Sequence, residues 1–560
     1  MHQKLDNHAK NCKNGRVKEK QSLAHTLRSL MQQAGVTAAD LARESGVSMA
    51  SLSRILNGET ENPSFSSITA LAQALGVSLD ELAHAQMPVQ MNPADVQATY
   101  VLENTDKTPK EAAQLLQSAA AGTWVSCWTE DFVDPDQPRP YALHARKVGT
   151  KRVEVDLVFP HSIFEGGSLV GLMSVLAAGI TSTNARLLDV QVPASLGRTF
   201  TGPAFGVRGL RDLTSKYGRP LLSCTLRPML GIPPKIYGRA IFEAMKGGCD
   251  LTCDPTLLHS IPGLTWRERF RYAAEAVHAA GAETGEYKAH AANVTAGETE
   301  DMLQRAAYAK ELELGMLMVD SAGIGWSALQ SLSRWCRDND MILCAMGGRA
   351  LQGGVMSEAL EAKLLRLAGC DVTSIGSPLR GSVAQRRYSI GTVKTMRETH
   401  LPRTPEEGLL LSQDFYGMEG SLPAVGGGHN PWHFPRLLDA LGDDLMIQCG
   451  GSVMAHPWGS AAGATANRVA IEALVQARGE GYSLNVDGRI ILNRAQKYSP
   501  ELKEALSIYK EGAFLFGVVP GDGGDQLSGK VETQNFEKTP MLRAISTKQS
   551  DEGDDNDESF

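Results

Sequence analysis

Residues 247–256, GGCDLTCDPT, place a cysteine and an aspartate where a short apolar run ends. In proteins built from alternating strands and helices, catalytic groups lie where a strand ends and the chain turns toward the next helix. Cys253 could be a nucleophile only with a base beside it, and without one we expect a buried, inert thiol. Asp254 could move a proton or bind a cation. One carboxylate beside a soft thiol lacks the several hard oxygen atoms that Mg²⁺ requires, so neither a metal site nor a cofactor is expected.

Two other residues near the ends of apolar runs could take part in the same chemistry. Arg227, in LRPM, stays protonated and could bind an oxyanion or a carboxylate. His290, in KAHAAN, could transfer a proton. With Asp254 these are the weak candidates for catalytic residues, because none of the three has a partner at a spacing that defines a motif. Further polar residues expected near the same site are Asn293, Asp320, Arg349 and His429.

Glycines after two later apolar runs indicate an anion site. LPAV is followed by Gly426, Gly427 and Gly428, and LMIQC by Gly450 and Gly451. Glycines let backbone amides approach a phosphate closely, although turns alone would also explain them. The glycines predicted to bind phosphate are Gly427, Gly428, Gly450 and Gly451.

The elements that must position these residues follow two patterns. Strand-like stretches and helices at 97–205, such as ATYVLEN, RVEVDLVF and SLVGLMSVLAAG, predict an α+β domain. From residue 219 onward, eight strand candidates alternate with amphipathic runs such as TWRERFRYAAEAVHAAG. Eight strands predict a (β/α)8 TIM barrel, with an open doubly wound sheet as the alternative. The glycines after the last two strands favour the barrel, where phosphate sites commonly follow strands seven and eight.

Residues 22–84 show a different pattern, with short helices whose apolar residues recur at three and four. Ala42, Gly46 and Val47 fit a helix-turn-helix, with a small residue where two helices cross and a glycine in the turn. The segment resembles the lambda-repressor-like (Cro/C1, or XRE) DNA-binding family. The alternative is a helical bundle that contacts protein. The DNA contacts that the resemblance implies are Ser48, Met49, Ser51 and Arg54 at base edges and Thr37, Arg43 and Asn57 nearer phosphates.

The rest of the chain resembles another family. HPWGSAAGATANRVAIEALVQARGEG at 456–481 is similar to the large chain of ribulose bisphosphate carboxylase (RuBisCO). The same holds for GTWVSCWTE at 122–130, GRPLLSCTLRPMLGI at 218–232, ETGEYKAHAANVTAG at 283–297 and CRDND at 336–340. The resemblance implies an α+β N-domain before a TIM barrel. It also implies a dimer in which each pocket lies between one chain's barrel and its partner's N-domain.

The resemblance further implies catalytic residues that this sequence lacks. Arg227 and Met229 stand where the family has two lysines, and neither can act as a base at neutral pH. The positions of the metal-ligating lysine and of the aspartate–glutamate pair hold Cys253, Pro255 and Thr256. Carboxylase activity and the magnesium site are therefore predicted to be lost. Other family positions fall on Met346, Gly347, Ser374 and Gly426, with Ala178 and Ser118 near two more. The resemblance implies that one phosphate site is retained, with the Thr123 hydroxyl and the Trp124 indole N–H joining Gly427, Gly428, Gly450 and Gly451.

The predicted fold class is multidomain: an all-α helix-turn-helix domain, then an α+β RuBisCO N-domain, then a (β/α)8 TIM barrel. The net charge of −8 hides a basic start and an acidic end, DEGDDNDESF. The predicted bounds are 1–21 for a basic disordered arm, 22–85 for the helix-turn-helix domain, 86–96 for a linker, 97–205 for the N-domain, 206–517 for the barrel and 518–560 for an acidic flexible tail.

Location and partners follow from composition and from these domains. The first 21 residues lack the apolar middle of a signal peptide, and no apolar run reaches the length of a membrane span. Nine cysteines without a CxxC pair indicate reduced thiols. We therefore expect a cytoplasmic protein without a membrane partner. The expected partners are double-stranded DNA, a small phosphorylated ligand, and a second copy in a homodimer or higher homo-oligomer.

Three functions remain open from the sequence. The first is a DNA-binding transcriptional regulator whose barrel dimerises and senses a phosphorylated sugar or sugar acid. The second is a RuBisCO-like enzyme, an isomerase, decarboxylase or carbon–carbon hydrolase or transcarboxylase, with an autoregulatory DNA-binding domain. The third is a fusion in which the barrel only oligomerises.

Overall fold

The protein is described by a computed structural model in two compact units, Met1–Asn92 and Pro93–Phe560. The described residues are 27–28, 30–31, 36–57, 60, 63–77, 91–121, 139–177, 180, 183–347, 356–379 and 382–509. The predicted arm at 1–21 and tail at 518–560 lie outside them. The boundary between the units falls inside the predicted linker.

The described residues of the first unit include the short helices α1 (Ala38–Ser45), α2 (Met49–Leu56) and α3 (Phe65–Ala74). Each begins at a hydroxyl residue whose oxygen accepts a backbone N–H, which satisfies a free amide of the first turn. Gly46, at φ 70°, ends α1 in the left-handed conformation that a side chain disfavours. The helices pack around Leu27, Leu41, Leu52, Ile55 and Leu71.

The second unit starts with an antiparallel sheet of order β2-β3-β1-β4. Apolar residues on the covered face of the sheet pack against α4 and α5. The strands are β1 (Val96–Glu103), β2 (Tyr141–Lys147), β3 (Arg152–Phe159) and β4 (Ala185–Gln191), and the helices are α4 (Pro109–Ala121), α5 (Leu169–Ala177) and the short α6 (Ala194–Gly197). This is the predicted α+β domain.

Eight parallel strands then close into a barrel, in the order β5 to β10, β13 and β14, with β14 paired to β5. All eight predicted strands are present, so the TIM barrel is confirmed and the open sheet was wrong. The strands are β5 (Leu221–Thr225), β6 (Leu251–Cys253), β7 (Ala289–Asn293), β8 (Gly315–Asp320), β9 (Ile342–Met346), β10 (Val372–Gly376), β13 (Leu422–Val425) and β14 (Met446–Gln448); the small pair β11 (His400–Leu401) and β12 (Gln413–Asp414) lies outside the barrel.

Helices alternate with the barrel strands and cover their outer surface. α11 breaks at Gly325, whose φ of 71° and ψ of 170° are not helical. The helices are α7 (Gly206–Thr214), α8 (Pro234–Lys246), α9 (Trp266–Thr284), α10 (Thr299–Glu311), α11 (Ser321–Asp338), α12 (Glu358–Ala368), α13 (Val383–Arg397), α14 (Phe434–Leu441), α15 (Gly450–Met454), α16 (Ser460–Gly479), α17 (Leu484–Ala495) and α18 (Pro500–Ile508).

Alternation along the strands decides which side chains fill the barrel. Leu251, Cys253, Met316 and Met318 belong to the cluster that fills the barrel interior. The residues between them on the strands face the helical layer instead, because successive side chains of a strand point to opposite sides. A residue at the end of a barrel strand can therefore lie inside the mouth, meaning the carboxyl end of the barrel, or behind its wall.

A buried ion pair joins the α+β sheet to the barrel. Lys363 Nζ, on α12, lies 2.6 Å from Asp189 Oδ1 on β4 and 2.6 Å from the carbonyl oxygen of Val190. The other carboxylate oxygen accepts the backbone N–H groups of Leu410 and Leu411. Both charged side chains are at most 3% exposed. The sheet is therefore held to the barrel by groups that cannot separate without leaving a buried charge unpaired.

Replacing Lys363 with methionine is expected to destabilise the second unit, because it leaves the Asp189 charge buried without a cation. We expect the free energy of unfolding to fall by about 3–5 kcal/mol, measured by chemical denaturation. Lys246→Met is the matched control, since its ion pair with Glu283 is about half exposed and should contribute little. Equal effects of the two changes would contradict the assignment.

Candidate functional site

Cys253 lies at the carboxyl end of β6 inside the barrel and is 1% exposed. Its Sγ is 3.3 Å from the Ser223 hydroxyl, and burial raises the pKa of the thiol to about 11. A protonated thiol is a poor nucleophile. The sequence interpretation of an inert buried cysteine fits this geometry.

Gln448 is a site residue that sequence reasoning missed. It ends β14 and is half-buried, with its amide in the barrel mouth. Its Nε2 lies 4.0 Å from Cys253 Sγ and 3.7 Å from Met346 Sδ. Both sulfur atoms are weak acceptors, so the amide retains capacity to bond a ligand. The signal was available, because LMIQC places a glutamine directly before the glycine pair.

Asp254, one residue after Cys253, lies behind the barrel wall and not in the mouth. Its Oδ1 accepts from the Tyr237 hydroxyl at 2.5 Å and lies 3.1 Å from His290 Nε2. Its Oδ2 accepts from Arg269 Nε at 2.9 Å and from the Asn293 backbone N–H at 2.8 Å. Arg269, on α9, is fully buried. Four donors from β7, α8 and α9 thus occupy both carboxylate oxygens.

Electrostatics fixes this carboxylate in its charged form. Burial alone would raise the pKa of Asp254, but the Arg269 guanidinium and His290 outweigh it and hold the pKa well below its usual range. His290 Nδ1 is itself 2.8 Å from the Thr252 hydroxyl, so both ring nitrogens are engaged. The structure brings the predicted catalytic residues Asp254 and His290 together, but in a closed network. Their catalytic role stays a prediction that this geometry does not favour.

The donor set at this position does not fit Mg²⁺. Cys253 offers a protonated thiol, Pro255 offers no side-chain ligand, and both oxygens of Asp254 are occupied on the far side of the wall. Mg²⁺ requires near-octahedral oxygen coordination. In the described part of the chain, no group of three or more His, Cys, Asp or Glu side chains could hold a metal ion.

Arg227, the third catalytic candidate, is exposed in the loop that follows β5. Its backbone N–H donates to Met454 Sδ at 3.2 Å, which ties this loop to α15. Met229 is half-buried nearby in the chain. Arg227 is thus separate from Asp254 and His290, and its guanidinium is accessible to an anion.

The glycines after β13 and β14 separate into two kinds. A Cβ on Gly427 would lie 2.7 Å from Ser377 Cβ, and one on Gly450 would lie 2.7 Å from the Thr225 carbonyl oxygen, so packing requires both. Gly428 adopts φ 90° with open space around it. Gly451 has open space and no left-handed φ, so neither its conformation nor its packing requires glycine. Close approach of a ligand remains a reason for glycine at 451.

The remaining predicted residues of the mouth have different surroundings. Thr123, Trp124 and Arg349 lie outside the described residues. Asn293 is buried and its side chain donates to the carbonyl oxygens of Pro255, Thr256 and Leu258, so it shapes the loop after β6. Asp320 caps α11, and His429 is buried. Asn293 and Asp320 thus have structural tasks.

The candidate DNA-contact face lies on α1 and α2 of the first unit. Ser48 caps α2, and its hydroxyl accepts the Ser51 backbone N–H and donates to the Ser51 hydroxyl. Met49, Arg54 and Asn57 are exposed, and Ser51 is half-buried. The predicted contact residues on α2 therefore extend from its N-terminal cap, Ser48, to its C-terminal cap, Asn57, with the two serines already bonded to each other.

Arg43, a predicted phosphate contact, is paired within its own helix. Its Nη2 lies 2.5 Å from Asp40 Oδ1, and the Thr37 hydroxyl donates to Asp40 Oδ2 at 2.5 Å. These contacts, Thr37 first and then Arg43, hold the pKa of Asp40 below its usual range. The Asp40 carboxylate thus competes with DNA phosphates for Thr37 and Arg43, the two residues predicted to bind phosphate.

Three family models match the chain. The model for the ribulose bisphosphate carboxylase large chain, catalytic domain, matches residues 206–509, which is more than half of the chain. The N-terminal domain of the same large chain matches 85–196, and a helix-turn-helix domain matches 22–85. The fusion inferred from the motifs is therefore confirmed. Among the described helices, none is both long enough and apolar enough to cross a membrane.

Asp254→Asn should destabilise the barrel, because it leaves the Arg269 charge buried without its partner. We expect a loss of about 3–5 kcal/mol in the free energy of unfolding. Since the folded pKa of Asp254 is depressed, its contribution is present above its unfolded pKa of about 3.9 and is lost as the pH falls below that value. The difference between wild type and variant, measured by denaturation from pH 6 to pH 3, should therefore shrink in acid.

Glu275→Gln is the control for Asp254→Asn. Glu275 forms an exposed pair on α9, the helix that carries Arg269, so its replacement should change the free energy of unfolding little. A stable Asp254→Asn variant would show that the carboxylate does not hold the wall together. It would leave Asp254 available for catalysis.

Asp40→Asn is expected to strengthen binding to DNA of any sequence at low salt. The change removes a negative charge beside the predicted phosphate contacts and releases Arg43. The measurement is the slope of log affinity against log salt, which should become steeper. Glu44→Gln is the control for charge, since Glu44 is exposed on the same helix and lies outside the hydrogen-bonded group of Thr37, Asp40 and Arg43. Equal slopes for both variants would contradict the competition.

Proposed function

The chain belongs to the ribulose bisphosphate carboxylase large-chain family, and we propose that it acts as a sequence-specific, DNA-binding transcriptional regulator and not as a carboxylase. The observation that carries the proposal is the helix-turn-helix domain at 22–85 in the same chain as a barrel whose donor set does not fit Mg²⁺. The exposed residues at the start of α2 support recognition of DNA bases by this helix, as in lambda-repressor-like proteins. Such a regulator works in the cytoplasm.

The barrel mouth would serve as the sensor. Gly428 and Gly451 provide open backbone where an anion can approach, and Arg227 adds an accessible positive charge. Gln448 adds an amide whose nitrogen lies near two sulfur atoms, which are weak acceptors. A small phosphorylated sugar or sugar acid carries the anion and the polar groups that this set can bond. We therefore propose that class as the effector.

A dimer is part of the proposal, because a single helix-turn-helix domain grips too little DNA for useful specificity. Large apolar side chains are exposed on the loops that follow the neighbouring strands β5 and β6 at the barrel mouth: Leu230 is 67% exposed and Leu257 73%. Exposed apolar residues on adjacent loops are typical of an interaction surface. In the family the partner's N-domain covers this region.

The effector would act between protomers. Within one chain, Lys363 and Asp189 fix the α+β sheet to the barrel, so a ligand that bridges two chains moves whole second units relative to each other. DNA affinity changes only if the ligand binds the two arrangements with different affinity. The enzyme alternative would require a proton-transfer group in the mouth. Asp254 and His290 are occupied behind the wall, so the regulator is the function proposed.

The direct test is the selection of genomic fragments by the purified protein at moderate salt, followed by sequencing. We expect a two-fold symmetric site whose occupancy changes when phosphorylated sugars or sugar acids are added. Binding that is sensitive to salt but independent of sequence would reject the regulator. A specific site that no phosphate ester affects would reject only the sensor.

Gly451→Ala tests the anion site without disturbing the fold. The added methyl group meets no protein atom and should leave the thermal midpoint unchanged, but it would block a backbone amide contact to a charged group. We expect a phosphate ester to bind about 10- to 100-fold more weakly, measured by thermal shift against ligand concentration. Gly479→Ala, at the end of α16 and equally open, should bind the ligand like wild type. Unchanged binding by Gly451→Ala would remove residue 451 from the site.

A further inference from the structure

The residues on the solvent-facing side of α2 differ from the DNA-contact residues expected from the sequence. Leu52 and Ile55 are buried, and successive helical residues are rotated by about 100°. The side opposite to these two carries Ala50, Ser53 and Arg54, all of them exposed. Ala50 and Ser53 were not among the predicted contacts, whereas Ser51, which was, lies half-buried toward the core side.

The N-terminal end of α2 presents apolar groups. The hydroxyls of Ser48 and Ser51 bond to each other at 2.9 Å and cap the helix. Met49, at 50% exposure, and the methyl group of Ala50 are the next groups along the exposed side. In the major groove, apolar side chains distinguish thymine by contact with its C5 methyl group.

Arg54 is the single charged residue of α2, whose sequence is MASLSRIL. Its Nε lies 3.4 Å from the Ala50 carbonyl oxygen, which orients the side chain along the exposed side and leaves the terminal guanidinium nitrogens for other acceptors. A guanidinium that reaches base edges in the major groove pairs best with O6 and N7 of guanine. Arg54 lies four residues beyond Ala50, which is about 6 Å along the axis or about two base-pair steps.

We propose that each half-site read by α2 contains a thymine whose methyl group contacts Met49 and Ala50 and, about two base pairs away, a guanine bound by Arg54. Ser53 lies between them on the exposed side. Its hydroxyl can act as donor or as acceptor, so it does not select one base at the position between the thymine and the guanine. The inference rests on the proposed function and narrows it to a class of operator. It places Ser51 in the cap and not at a base edge.

The experiment uses the full chain and the operator that the genomic selection yields. Replacing the thymine with uracil removes only its methyl group, and we expect affinity to fall about three- to five-fold, as for the loss of one buried methyl. Replacing the guanine with 7-deazaguanine removes the N7 acceptor and should weaken wild type about ten-fold or more. Met49→Ala should lose most of its sensitivity to uracil, and Arg54→Ala should be insensitive to 7-deazaguanine.

Arg43→Ala is the matched control, since it also removes one arginine from the contact surface but at a predicted phosphate contact. It should weaken binding to all sequences equally and keep the guanine preference. Circular dichroism of each variant checks that the helices persist. Half-sites without this thymine and guanine pair, or an Arg54→Ala variant that keeps its guanine preference, would overturn the inference while the regulator stands. Selection of no specific sequence would overturn both.

Discussion

The buried ion pair between Asp254 and Arg269 is the constraint on which the architecture of the barrel site depends. It fixes the end of β6 against α9, and Tyr237 and His290 bond to the same carboxylate. Because alternate residues of a strand face opposite sides, holding Asp254 behind the wall turns Cys253 into the mouth. The polar groups of this network thus stabilise the fold, and the described residues beside Cys253 in the mouth include the Met346 thioether and the Gln448 amide.

The sequence was sufficient to predict the fold but not to predict the side of the barrel wall on which each residue lies. Eight apolar runs separated by amphipathic helices indicate a parallel sheet, because burial on both faces is visible in composition, and the glycines after the last two runs favour a barrel over an open sheet. Composition does not show in the same way on which side of the barrel wall a residue lies. Asp254 and Cys253 are adjacent in sequence, and three-residue β6 is too short for alternation to reveal which of them faces inward. Distant partners, Arg269 and His290, decide it.

The glycines after β13 and β14 show that the sequence also does not predict the role of each single glycine. From the sequence, Gly427, Gly428, Gly450 and Gly451 are equivalent pairs that either form turns or hold an anion. Only the neighbouring atoms separate them, since Gly427 and Gly450 are required by close packing and Gly451 is not. In the helix-turn-helix unit, spacing located α2 correctly, but its exposed side depends on which residues the core buries.

The closed network around Asp254 also bears on how such a chain could evolve. Return to a magnesium enzyme would need a lysine at 253 and carboxylates at 255 and 256, where Cys253 and Pro255 are now buried. Each change made alone would introduce a charged or ligating group before its counterparts exist, and buried unpaired charges are strongly destabilising. Intermediates would therefore lose stability without gaining activity. Under the proposed function, the network around Asp254 would therefore oppose the return of a magnesium site by single substitutions.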